Sequence, residues 1–193
     1  MATSLVSTGV QFPDSTIQTT AAGAGGLTLI SSTSISPGSS AANFLSSFSS
    51  TYDDYIVYID DYKPSANSNL YLQFATGGSA DTGSNYGFVV LGANSTFGGT
   101  TGYLAQNATT EINMNYGVTV GTAGTSFSLL FQNVNSTDYK SVSVQALVFQ
   151  TYATSNVGNA VYKAANTASG FTIWPTSATI SSGTVRIYGV KKS

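Results

Sequence analysis

The chain has 193 residues, no cysteine and no histidine, and only 7% of its residues are charged, against 41% apolar and 12% aromatic. That length supports one sizeable core without a disulfide or metal staple, and the aromatic content excludes a disordered tail. Six Lys and Arg against eight Asp and Glu leave a net charge of −2, which gives phosphates little to hold, so nucleic acid is not expected as a partner.

The opening MATSLVSTGV lacks the basic and apolar regions of an export signal, and no apolar run approaches the ~18 residues of a spanning helix. Neither export nor membrane insertion is expected. Residues 1–26 carry few large apolar side chains, mainly Leu5, Val6, Val10, Phe12 and Ile17. They are too few for a core, which predicts an extended arm lying on something else, with Gly23, Gly25 and Gly26 as its swivel.

From Leu27 onward, strand formers come in short runs bounded by Gly, Asn, Ser and Asp clusters. Strands are expected over 27–35, 55–60, 70–75, 86–91, 101–106, 112–118, 127–133, 141–151, 161–164, 171–174 and 184–190. This spacing predicts one all-β domain over 27–193, an antiparallel β-sandwich of jelly-roll type. The stretch 41–47, AANFLSS, is the best helical candidate, and it reads equally well as a turn leading into a strand.

In NLYLQF, Leu70, Leu72 and Phe74 share one face, with Tyr71 and Gln73 on the other. In SVSVQALVF, Val142, Val144, Ala146 and Val148 align. YIVYI and SLLFQ lack polar alternates, which predicts central strands covered on both sides or strands meeting another subunit.

Without imidazole or thiol, Ser-His-Asp and Cys-His catalysis and the corresponding zinc sites are excluded, and no cofactor is expected. The acids are Asp14, Asp53, Asp54, Asp60, Asp61, Asp81, Glu111 and Asp138. The pairs Asp53-Asp54 and Asp60-Asp61 flank YIVYI, which places them roughly 20 Å apart by strand rise. That is too far for a glycosidase pair, and no enzymatic activity is expected.

DDYKPSANSN, residues 60–69, offers oxygens to a cation such as Ca²⁺, but its spacing is not that of an EF-hand. A Pro64-containing turn between two strands is the plainer reading. GAGG and GVTVGTAG lack the Lys-Ser/Thr ending of a phosphate loop and read as hinge and turn. Asn94, Asn107 and Asn135 begin sequons of the kind that arise by chance in so Ser- and Thr-rich a chain.

Aromatic side chains are the remaining candidates for contact. Tyr86, Tyr103 and Tyr116 lie beside Gly-rich loops. Trp174, before Pro175 at a strand end, reads as core or rim packing more readily than as a sugar platform.

Three stretches carry a family resemblance. GVQFPDSTIQTTAAGAGG resembles the FPDGT-x-QTTAA segment recurrent near the N-termini of tailed-bacteriophage tail and fibre proteins, with Ser15 where that pattern has Gly. GLTLISSTSIS and FLSSFSSTYDDYIVYIDDYKPSANSNLYLQF are similar to the opening of the β-sandwich that follows it, and ISSGTVRIYGVKKS is similar to its closing SGT-x-RLYGI strand. The resemblance spans nearly the whole chain and is weaker from residue 86 to 165.

It implies a virion structural protein, often a homotrimer, assembled in the host cytoplasm. Its arm, through Phe12, Pro13, Asp14 and Ile17, would dock onto other virion proteins while the sandwich projects outward. The leading expectation is a short tail fibre or receptor-binding adhesin contacting the bacterial surface, as polysaccharide. The alternative is a head or tail decoration protein clamping neighbouring subunits. A depolymerase conflicts with the scarcity of paired acids, and a free-standing lectin would leave the phage-like termini a coincidence.

Overall fold

The computed structural model describes residues 26–94, 101–116, 119–149 and 153–191, and the backbone of three short strands ahead of them. Those three, β1 (Ser4–Val6), β2 (Gly9–Gln11) and β3 (Ile17–Gln18), pair antiparallel in that order. Parts of the expected arm are therefore paired with one another. Of the expected attachment residues, Ile17 opens β3, while Phe12, Pro13 and Asp14 lie outside the described residues.

The strands that follow are β4 (Leu27–Ser34), β5 (Ala42–Phe44), β6 (Asp54–Pro64), β7 (Leu70–Thr76), β8 (Ser79–Ala80), β9 (Tyr86–Asn94) and β10 (Thr101–Thr109). After them come β11 (Ile112–Asn113), β12 (Thr125–Gln132), β13 (Lys140–Phe149), β14 (Ala153–Tyr162), β15 (Gly170–Pro175) and β16 (Ile180–Val190). No helix occurs among the described residues. One sheet has eight strands in the order β10-β9-β14-β13-β12-β6-β16-β4; the smaller runs β11-β7-β15-β5, with β8 on β7. Every pairing is antiparallel. The fold is the expected all-β sandwich.

Alternation decides what lies between the sheets. Tyr55, Val57 and Ile59 of β6 and Phe127, Leu129 and Phe131 of β12 point inward and are buried, facing Leu70, Leu72 and Phe74 of β7 and Phe171 of β15. The aromatic rings interlock across the layers: Phe131 lies 5.3 Å from Phe74 and 5.1 Å from both Phe48 and Phe171, centroid to centroid. The expected inward set of β13, Val142, Val144, Ala146 and Val148, is buried.

Several boundaries differ from expectation, each for a local reason. β6 continues through Asp60 and Asp61 to Pro64, so the proline closes a strand and does not occupy the turn. A register shift against β16 accompanies this, and Asp61 takes φ +46°. The candidate helix contains β5, paired to β15. Of the strand expected over 112–118, β11 forms, 114–116 lie outside any strand, and 117–118 fall outside the described residues. β14 begins at Ala153, well before Val161. Gln73, expected on a wet face, is buried, and its amide donates to the Thr110 carbonyl at 2.8 Å. β6 and β12 are adjacent central strands, yet their outward residues Ile56, Tyr58 and Leu130 remain half-exposed.

Candidate functional site

The register of the large sheet draws residues far apart in sequence into straight rows on its outer face. One row crosses all eight strands: Ser32, Arg186, Tyr58, Ser128, Gln145, Val157, Leu91 and Tyr103 stand side by side. At about 4.8 Å per strand the row spans about 33 Å. A parallel row sets Tyr188, Ile56, Leu130, Ser143, Asn159 and Val89 beside it. From β16 to β13 these rows are polar and aromatic apart from Ile56 and Leu130; from β14 to β10 they are largely aliphatic, with Leu91 at 55% and Tyr103 at 68% exposure.

The polar half contains a braced cluster. Arg186 donates from Nε and Nη2 to the same Asp60 oxygen, Oδ2, at 2.9 and 2.7 Å. Its guanidinium carbon lies 5.7 Å from the centre of the Tyr58 ring, which meets Tyr188 edge-on at 5.9 Å. The hydrogen bonds from the guanidinium to Asp60 raise the arginine's pKa. Because both donors converge on Oδ2, Asp60 Oδ1 has no hydrogen-bond partner among the described residues. Neither do the Gln145 amide nor the hydroxyls of Ser128 and Ser155.

Serine side chains are short, so the sheet surface dips where they stand together. A depression of about 440 Å³ lies between Tyr58 and Asp60 on one side and Leu147 and Val157 on the other, floored by Ser126 and Ser128. A second, of about 390 Å³, continues it past Leu130 and Ser143. The two share Tyr58, Ser128 and Gln145 and form one trough.

The four aromatic residues singled out in the sequence do not converge. Tyr86 is fully buried, a correction to its expected surface role: its hydroxyl donates to the Asp81 carbonyl at 2.8 Å and its ring stacks on Tyr162 at 5.1 Å. Tyr116 is half-buried over a glycine floor, where a Cβ on Gly102 would approach its Cε1 to 2.6 Å; its amide donates to Asn156 Oδ1 at 2.9 Å. Trp174 stands edge-on to Tyr71 at 5.9 Å on the smaller sheet. Only Tyr103 of the four belongs to the long row, at its aliphatic end.

The acidic side chains are committed locally. Asp61 pairs with Lys63 at 2.9 Å. Asp81 accepts from Tyr162 at 2.5 Å, the Gly83 amide at 2.7 Å and Asn85 at 3.0 Å. Burial pushes the Asp81 pKa up, but these hydrogen bonds together hold it below the ordinary value. Beneath this cluster, buried Lys140 donates to the carbonyls of Asp138 at 2.9 Å and Ala164 at 2.5 Å and lies 5.2 Å above the Tyr162 ring. Burial lowers its pKa. With its donors spent on backbone, Lys140 works as an internal clamp. No group of three or more acidic side chains able to hold a metal ion occurs among the described residues.

The outer-face cluster escaped sequence reading because Tyr58, Gln145 and Arg186 meet only through strand register. One available signal was that Arg186 is the chain's single arginine, placed within a strand. No protein-family description, curated protein or solved structure matches this chain.

Proposed function

We propose that the chain is a bacteriophage virion structural protein, a short tail fibre or receptor-binding adhesin whose sandwich contacts saccharide on the bacterial surface. The observation that supports this most is the outer face of the large sheet, eight strands wide and almost uncharged, with a trough of unpaired hydroxyl, amide and carboxylate groups. The phage-like motifs at both ends of the sequence supply the virion context. In this reading the segment before Leu27 docks onto other virion proteins, the protein assembles in the host cytoplasm as a homotrimer, and it has no catalytic role.

Gold-labelled antibody against residues 27–193, imaged on intact virions, tests the reading. Label at the tail tip is expected, together with competition between purified protein and phage for adsorption. The aliphatic half of the outer face, with Leu91, Leu147 and Val157 about half exposed, favours one second reading, a decoration protein that seats this surface against a neighbouring subunit. Label over the head would establish that instead.

A further inference from the structure

We propose that the trough on the outer face is the saccharide site itself, and that it takes a neutral sugar chain held at Asp60, Gln145 and the serine floor. The inference rests on the adhesin reading and adds to it a location and a ligand charge.

Unused hydrogen-bonding capacity is the first support. Asp60 Oδ1, both ends of the Gln145 amide, and the hydroxyls of Ser128 and Ser155 have no hydrogen-bond partner among the described residues. Adjacent hydroxyls of a sugar ring each donate and accept. A carboxylate oxygen, a carboxamide and two hydroxyls present the matching set of acceptors and donors. Arg186 spends two of its five N–H groups on Asp60 and braces that carboxylate from beside the trough.

Charge is the second. Asp60 is the one charged side chain among the described residues that line the trough, and Arg186, paired to it at 2.7 Å from beside the trough, offsets its charge. An anionic sugar would gain little net attraction there, so the site favours an uncharged one.

Preorganisation is the third. Arg186 is held by the carboxylate on one side and the Tyr58 ring on the other, and Tyr58 is propped by Tyr188. A ligand would order few side chains on arrival, which lowers the entropic cost of binding. The aliphatic wall of Leu147 and Val157 suits the C–H face of a sugar ring. Each depression falls within the ~300–1,000 Å³ typical of small-molecule sites, and their continuity suits a chain longer than one unit. A peptide would find no strand edge here, because the trough lies on β6, β12, β13 and β14, all internal to the sheet.

The test uses the full chain and fluorescein-labelled neutral hexose oligosaccharides alongside sialylated and uronate-containing ones. Binding is read by polarisation, with phage adsorption competition, melting temperature and sedimentation measured in parallel. Wild type is expected to bind neutral oligosaccharides. Asp60→Asn and Gln145→Ala should each weaken binding about tenfold, the scale of one lost hydrogen bond to a well-placed polar group, without moving the melting temperature or sedimentation.

If wild type competes for adsorption and both variants compete equally well, the trough assignment falls and the adhesin reading stands. Absence of competition by wild type removes the adhesin reading, and the site with it. Preference for the acidic sugars, or no binding to any neutral one, overturns the ligand class. Variants that change sedimentation in place of sugar binding would make this face a contact between copies, which also overturns it.

Discussion

On β12 the inward residues are Phe127, Leu129 and Phe131, and the residues between them are Ser126, Ser128 and Leu130. Inward, the strand meets Phe48, Phe74 and Phe171 and every ring is packed; outward, it floors a trough with two serine hydroxyls, of which Ser126 accepts from the Asp61 amide. The inner face supplies cohesion and so tolerates little change. The outer face contributes little cohesion and so is free to carry binding chemistry.

β14 reverses the rule. Thr154, Asn156 and Gly158 point inward, and Val157 and Val161 outward. The inward space there is filled by Tyr116 lying across Gly92 and Gly102, so small residues are what the packing admits. What makes a face interior is what lies over it, and apolarity alone is a poor guide at that end of the sheet.

The largest effect should come from Phe131→Ala. Removing a fully buried ring with three aromatic neighbours is expected to cost about 3–5 kcal/mol, against less than about 1 kcal/mol for Leu130→Ala on the half-exposed side of the same strand. Urea denaturation reads both, and equal losses would break the distinction between the faces. Next comes Gly102→Ala. Its Cβ would sit 2.6 Å from the Tyr116 ring, and overpacking of that kind costs about 1–3 kcal/mol. Tyr103→Ser, one residue along and facing outward, should stay within about 0.5 kcal/mol.

These neighbours also show what was legible in the sequence. β7 and β13 announce themselves because large aliphatic residues at alternate positions meet a large aromatic layer. The first part of β14 does not, since its interior positions there are Thr154, Asn156 and Gly158 while Val157 faces out, and only Ala160 and Tyr162 at its end restore the pattern that alternation depends on. Pro64 misled because a proline near Asn and Ser normally marks a turn, whereas a shifted register here lets β6 run on to it. Tyr86 was misread from its neighbouring glycines, which locate a turn but not the face toward which the next ring points. The trough was hidden for a different reason: its parts come from β6, β12, β13 and β14, and no local window contains a register between strands.

Titration separates the interior further, with opposite signs at its two ends. Asp81 has its folded pKa below the ordinary value. Its contribution to stability is complete above the unfolded carboxylate range near ~3.9 and is lost as pH falls through the lower folded value. Asp81→Asn, which keeps an acceptor for Tyr162 but does not titrate, should flatten that acid limb in denaturation measured from pH 5 downward.

At the alkaline end, burial raises the pKa values of Tyr62, Tyr86 and Tyr162. Their contribution holds below ~10 and declines above it, as unfolded tyrosine ionises and folded tyrosine does not. Lys140 opposes this. Its lowered folded pKa makes the fold gain stability as pH rises through that value toward the unfolded ~10.4.

A small effect on stability is expected at the cluster with the largest proposed role. Arg186 and Asp60 leave 42% and 36% of their side chains exposed, and pairs so wetted contribute little after screening and the entropy of ordering both partners. Arg186→Ala should therefore lower stability far less than Phe131→Ala does, even allowing for the lost contact with the Tyr58 ring. A loss comparable to that of Phe131→Ala would mean that the outer cluster clamps β6 to β16, as the interior does elsewhere. The unpaired Asp60 oxygen would then be incidental to a structural bond, whereas a small loss leaves that carboxylate and the groups around it as surface kept for a partner outside the fold.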